Sequence, residues 1–379
     1  MAYKKKIVTA TPANPTFDLH RTLPNPTYGS TAVAGAPVKR RDRKLIFKRI
    51  MATLLILLLF VGGFLGWKLY SNSSKVFDGN IFGLLQSTKL DGEDVGRVNL
   101  LLIGNSADDP NHGGAQLTDS IMIVSINTAT NKAFLISVPR DLYVEIPDNG
   151  YAKINETYQD GERDGYEGGG AALLESLLEE RLGININYYA LVNYTAFRDT
   201  VNALGGIQVT INSTSKYGIY DPNISKVDGG PLKLANGTQT LNGQTALNLA
   251  RARGAAGGYG LSKGDFDRTA NQRMMLVALK DKAASASTLS NPIKVAALLD
   301  ALGNNVKTDM NTSEARRLYD ISKKIASSDI ASASLNGTDT DRLLTGYTTR
   351  TGQSALIPVA GVDDYSDIQS YIDQLLSTN

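Results

Sequence analysis

The chain has 379 residues, with 39 lysines and arginines against 37 aspartates and glutamates, for a formal net charge of +2. It has no cysteine and only two histidines, His20 and His112. Disulfides, thiolate catalysis and cysteine-ligated metals are therefore excluded, and a Ser-His-Asp triad or histidine-rich zinc site has at most one candidate histidine outside the N-terminal tail.

Charge is unevenly spread along the chain. Before residue 50 stand Lys4, Lys5, Lys6, Arg21 and seven more basic residues from Lys39 to Arg49, against only Asp18 and Asp42. This stretch is rich in proline, threonine and asparagine and reads as a disordered tail over 1–49. Ile50–Trp67, IMATLLILLLFVGGFLGW, then carries no charge. At ~1.5 Å per residue it reaches about 27 Å, enough to span a hydrocarbon core, and it lacks the polar stripe of a buried core helix. A cleaved signal peptide fits poorly, because the basic region is too long and no small-residue cleavage pattern follows cleanly. The basic flank places the N-terminus in the cytoplasm and everything after about residue 68 outside.

Residues 68–96 read as a linker with one short helix around Ile81–Leu85. Strands follow at "RVNLLLIG" (97–104), "SIMIVSIN" (120–127) and "KAFLISVP" (132–139), each an apolar, β-branched run bounded by turn residues. The short 127–132 connection suits a hairpin. "GAALLESLLEERLG" (170–183) has helical spacing and stops at a glycine. "YYALVN" (188–193) reads as a strand, "YTAFRDTVNALGG" (194–206) as a helix and "IQVTIN" (207–212) as a strand. Helices fit 243–250, 265–284, 291–304 and 313–327, a strand 354–359 and a closing helix 365–377. Without repeats or a second linker, this predicts one exterior domain, 97–379, in the α/β class: an α-β-α sandwich around a central mixed sheet.

The chemistry concentrates in "RARGAAGGYGLSKGDFDRTANQR" (251–273). Arg251 and Arg253 share a side only where the backbone is extended, since ~100° per residue would separate them on a helix. The glycines after them predict a pliable loop. Asp265, Arg268 and Gln272 then line one helix face, with Met274, Val277 and Ala278 toward the other. Arginine matches phosphate oxygens bidentately, so converging arginines suit a multiply charged anion such as pyrophosphate. A surface helix with internal Asp–Arg pairs is the plainer alternative. Further charge lies at strand ends, where α/β sites are commonly built. Asp119, at the mouth of a strand, can hold a hard cation through oxygen; Arg140 and Asp141 follow another strand, and Lys153 comes shortly after. Tyr188, Tyr189 and Leu191 are apolar enough for a lipid path but fit ordinary core better, and His112 in the glycine-rich NHGG stretch reads as a loop residue.

In order, "LLIG", "LTDSIMIVSIN", "AFLISVPRDLYVEIP", "KINETY", "LGG", "RAR", "DFDR" and "QR" make residues 97 to 285 resemble the LytR–CpsA–Psr family of cell envelopes. The resemblance implies a membrane-anchored phosphotransferase that moves a glycopolymer, teichoic acid among them, from a polyprenyl-pyrophosphate carrier to peptidoglycan through a phosphodiester. It implies that Arg140, Lys153, Arg251, Arg253, Arg268 and Gln272 hold the pyrophosphate. Asp119 would be associated with magnesium, or with manganese, and Asp265 would be the acidic member of the helix motif, catalytic with Arg251 and Arg253. Two positions depart from the pattern: Ser106 stands where an aspartate is common, leaving Asp108 or Asp109 as substitutes, and Asn271 replaces a frequent arginine. Such a transfer needs charge neutralisation more than a nucleophilic side chain, which accounts for the scarcity of histidine. The same groups would serve a hydrolase of the lipid pyrophosphate, and a non-catalytic envelope-binding protein or transcriptional regulator is the reading from another class. Positive-inside topology explains the basic tail without nucleic acid.

Overall fold

The computed structural model describes residues 88–108, 116–224, 228–303, 305–335 and 342–377. The expected tail, membrane span and most of the linker lie outside the described residues, as do Asp109 and His112. Among the described residues no helix is long and apolar enough to cross a membrane.

In chain order the elements begin with β1 (Arg97–Asn105), β2 (Thr118–Asn127), β3 (Lys132–Val138), β4 (Tyr143–Ile146), β5 (Gly150–Lys153), α1 (Thr157–Asp164) and α2 (Gly169–Leu182). Then come β6 (Tyr188–Asn193), α3 (Tyr194–Ala203), β7 (Ile207–Ile211), β8 (Ile219–Asp221), β9 (Leu232–Leu234), β10 (Gly237–Leu241), α4 (Gly243–Arg251) and α5 (Asp265–Ala284). The chain closes with α6 (Ala286–Leu289), α7 (Pro292–Gly303), β11 (Val306–Thr308), α8 (Thr312–Ser322), β12 (Ile330–Ser334), β13 (Leu344–Thr348), β14 (Ser354–Pro358) and α9 (Ser366–Ser377).

Six strands form a mixed sheet in the order β11-β6-β1-β2-β3-β12. β1–β2 and β2–β3 are antiparallel, whereas β1–β6 and β3–β12 are parallel. The long strands are apolar on both faces because both are covered. Leu101, Ile103, Ile123 and Ile136 pack on one side with Leu174 and Leu178 of α2 and Ile368 of α9. On the other side Val98, Leu100 and Ile126 pack with Ile321 of α8, and α5 crosses the same face through Gln272 to Ser120. A further apolar cluster joins α3, α4 and α5 to β7–β10.

The expected strands and helices recur with shifts that have local causes. The helix begun at Tyr194 ends at Ala203 because Gly205 and Gly206 turn to φ 78° and 93°. The helix expected over 313–327 stops at Ser322, whose hydroxyl donates back to the Tyr319 carbonyl. The strand at 354–359 pairs with β13 and stays outside the central sheet. The 254–264 loop, expected to be pliable, is pinned by a two-way backbone bridge between Tyr220 and Tyr259.

Glu175 of α2 provides a test of the packing. Burial pushes its carboxyl up to about 7 from 4.5, with Asp309 and Glu179 adding to the effect. A carboxyl raised on folding contributes stability below its unfolded value that is lost as pH rises through the folded one. Its partial exposure reduces the effect to about 1 kcal/mol. Glu175→Gln should therefore match wild type in thermal denaturation at pH 4 and melt about 2 °C higher at pH 8; equal melting at pH 8 would contradict the buried-charge account.

Candidate functional site

A cavity of about 530 Å³ opens beside the carboxyl ends of β1 and β6, where β2 begins. α5 supplies much of one wall, and its lining residues change character along the axis. Arg268 and Gln272 come first, then Met275, Leu276 and Leu279. Over these eleven residue steps the helix advances about 16 Å, so a polar end grades into an apolar one. Arg140, Arg251 and Arg253 join Arg268 at the lining, against two carboxylates, Asp119 and Asp221. Phe197, Met122 and Ile224 extend the apolar part. On the sheet floor Gly104 lies opposite Ser120, whose Cβ would come within 3.0 Å of any Cβ added there. The missing side chain keeps the floor open.

Arg251 reaches the cavity from the last position of α4, and Arg253 by leaving the helix. α4 ends at Arg251; Ala252 is extended at φ −66°, ψ 133°, and its methyl is buried. The turn is held by buried Asp221, whose carboxylate accepts from the backbone N–H of Asn223 (2.9 Å), Arg253 (3.1 Å) and Gly254 (2.9 Å). Gly254 sits at φ 78° with the Leu261 carbonyl 2.5 Å from where a Cβ would stand, so only glycine fits. The last carbonyls of α4, which have no helical donors, accept from α5: Leu249 from Asn271 (3.3 Å) and Ala250 from Gln272 (3.2 Å).

Asp119 anchors the opposite rim. Arg140 donates to its Oδ1, while Ser106 (3.1 Å) and the Tyr194 hydroxyl (3.4 Å) donate to Oδ2. The Tyr194 ring lies 4.9 Å from the Arg251 guanidinium, and Arg251 also pairs with Asp228 at 3.4 Å. Four arginines against two carboxylates line the cavity, an excess of positive charge that suits a polyanion.

Residues 70–356 match the LytR_cpsA_psr family. This chain belongs to that family. The chain is 34% identical over 221 residues to a protein of Oceanobacillus iheyensis named polyisoprenyl-teichoic acid–peptidoglycan teichoic acid transferase TagU, covering 58% of this chain and 61% of the relative. It is 31% identical over 313 residues to the Bacillus subtilis transferase TagT of the same description, covering 79% of this chain and 89% of that one. A solved structure described as TagT bound to LI-WTA superposes with a TM-score of 0.56 at 26% identity, covering 76% of this chain and 93% of that one.

Of the residues matched to LytR–CpsA–Psr motifs, Asp119, Arg140, Arg251, Arg253, Arg268 and Gln272 come together at the cavity. Gln272 has both ends of its amide engaged, accepting from Ser120 (2.9 Å) and donating to Ala250, so it shapes the wall. Lys153 is not a lining residue: its ammonium bonds Asp141 at 2.8 Å, and Asp141 lies 3.8 Å from the Arg140 Nε. Asp108 accepts from the backbone N–H of Tyr194 (3.1 Å) and Thr195 (2.7 Å), capping α3 beside the residue that reaches Asp119. Asp265 opens α5, and its side chain lies outside the described ones. Tyr188 and Leu191 are buried core and none of Tyr188, Tyr189 and Leu191 lines the cavity. Sequence reasoning missed Tyr194, Asp221 and the apolar run Met275–Leu279. The last was accessible from periodicity, since 268, 272, 275 and 279 form one helical stripe.

Proposed function

We propose that this protein transfers a glycopolymer from a polyprenyl-pyrophosphate carrier to peptidoglycan. The observation that carries this reading is one cavity with an arginine-lined end continuous with an apolar end, which suits a pyrophosphate joined to a prenyl chain. The names of the relatives agree with it. In the reaction an acceptor sugar hydroxyl attacks the phosphorus that bears the glycopolymer. The bond from that phosphorus to the bridging oxygen breaks, polyprenyl phosphate leaves carrying the proton, and a phosphodiester remains. Arg251, Arg253, Arg268 and Arg140 would stabilise charge on the phosphates as it shifts to the leaving group.

The site's chemistry fits a hard cation only in part. Asp119 is the carboxylate available, since its three donors are side chains that can turn aside whereas Asp221 is held by three fixed backbone N–H groups; among the described residues no cluster of three histidine, aspartate or glutamate side chains occurs. One carboxylate with substrate phosphates suffices for magnesium, so Asp119, with the Ser106 hydroxyl beside it, would hold a cation that the pyrophosphate completes. Bound there, it would add charge neutralisation.

An assay with lipid-pyrophosphate donor, magnesium and peptidoglycan tests the reading. Glycopolymer joined to glycan supports a transferase, free phosphorylated glycopolymer a hydrolase, and no turnover a non-catalytic binder. The proposal includes a single-pass anchor with the N-terminus cytoplasmic. Protease applied to intact cells should trim the large domain and spare an N-terminal tag; loss of the tag would reverse that topology.

A further inference from the structure

We propose that the outward face of the β4–β5 hairpin, with Tyr347 of β13, is a glycan-binding shelf that holds the acceptor sugar chain beside the cavity; this rests on the transferase reading above. In the hairpin register Tyr143 pairs with Lys153 and Glu145 with Tyr151. Strand alternation puts these four side chains on one face, while Val144 and Ile146 are fully buried on the other. The Tyr143 and Tyr151 ring centroids lie 5.6 Å apart with planes 28° from parallel, and Tyr347 continues the row at 5.4 Å from Tyr143. Tyr151 remains 42% exposed. A tyrosine left that open at the end of an aromatic row contributes little to the core and offers a ring face outward.

The chemistry around the row selects a sugar. Aromatic faces pack against the apolar C–H faces of a pyranose, and carboxylates accept from its hydroxyls. Glu145 is exposed on the shelf, and Asp363 accepts from the Tyr151 hydroxyl, fixing that ring at its edge. Carboxylates at this position would repel a phosphate-rich chain, and an anionic membrane would call for cations instead. Lys153, the cation among the four hairpin side chains on this face, is engaged with Asp141 at 2.8 Å.

A chain of contacts links the shelf to the site. The two hairpins are joined by the backbone bond from Leu356 N–H to the Asp141 carbonyl (2.9 Å). From Tyr143 the path runs through its cross-strand partner Lys153 to Asp141, then to Arg140, which lines the cavity. A neutral polyhydroxylated chain lying on the tyrosines would thus approach the arginine-lined end from outside the lipid-sized part of the cavity, where an acceptor hydroxyl is needed.

The test uses the full-length protein in detergent and a soluble oligomer of β-1,4-linked N-acetylglucosamine as probe, read by calorimetry and by upfield shifts of sugar ring protons. Tyr151→Ala and Tyr347→Ala should each weaken binding about fivefold to tenfold, the scale of one lost aromatic contact. Tyr151→Phe should stay within about twofold, because the ring face remains. Polyprenyl-pyrophosphate binding, measured separately, should be unchanged in all three variants. Equal oligosaccharide affinity in wild type and both alanine variants, or no oligosaccharide binding by wild type, would overturn the shelf, as would tyrosine-dependent binding to anionic phospholipid vesicles without sugar binding. Failure of wild type to bind the lipid pyrophosphate would instead defeat the transferase reading, leaving the sugar measurement interpretable.

Discussion

Arg253→Ala should lower the transfer rate by roughly 10²–10³-fold, on the order of 3–4 kcal/mol of transition-state stabilisation, the scale of one preorganised donor. The side chain lines the cavity, and the backbone N–H donates to Asp221. Alanine keeps that backbone bond and with it the turn that the bond holds. Arg251→Ala should lose similar activity, but with a stability penalty, because that guanidinium also packs on Tyr194 and pairs with Asp228. Lysine at 253 should rescue only partly, since a point charge does not reproduce the bidentate fork. Single-turnover kinetics with the melting temperature measured in parallel separates the two effects. Near-normal turnover in Arg253→Ala would sink the pyrophosphate assignment.

Magnesium should bind weakly to the protein alone and at least about tenfold more tightly once a polyprenyl pyrophosphate is added, because one carboxylate needs phosphate oxygens to complete a hard cation's shell. By linkage, magnesium should tighten lipid binding by the same factor. Asp119→Asn should abolish the mutual strengthening while keeping a carbonyl acceptor for Arg140; the amide NH2 takes the other position, where the Ser106 and Tyr194 hydroxyls can turn to accept from it. In the opposite direction, Ser106→Asp places a second carboxylate beside Asp119, since Ser106 Oγ lies 3.1 Å from its Oδ2. That variant should bind magnesium markedly better without lipid. Calorimetry on the three proteins, with and without lipid, measures each effect. Identical magnesium binding by wild type and Asp119→Asn would remove Asp119 from the cation's shell.

How far the site can be read from the chain depends on the kind of signal each residue carries. Arg268 and Gln272 are four apart on a helix, so periodicity alone places them on one face. Gly183 stops its helix as a local backbone effect, with φ 67°. The apolar runs of β1, β2 and β3 announce strands buried on both faces. In contrast, β12 (IASAS) has almost no large side chain and gains its conformation from pairing with β3. The Tyr194–Asp119 contact joins positions 75 residues apart, and nothing in spacing records it.

Lys153 illustrates a contact that motif order leaves open: the hairpin register brings its ammonium to Asp141, beside the Arg140 that lines the cavity. Gln272 lines the cavity and is oriented there by accepting from Ser120 and donating to the Ala250 carbonyl at the end of α4, contacts that spacing does not record.

By itself, then, the sequence determined the helical face of α5, the paired apolar strands and the family, because these rest on periodicity, turn chemistry and motif order within short windows. Tertiary structure alone decided that Arg251 and Arg253 converge, through an extended Ala252 held over buried Asp221. It also decided that the arginine-lined end runs on into an apolar chamber and that tyrosines from two hairpins form one row. The physical reason is that a side chain's partner across space is chosen by sheet register and helix packing, which depend on contacts between segments far apart in the chain.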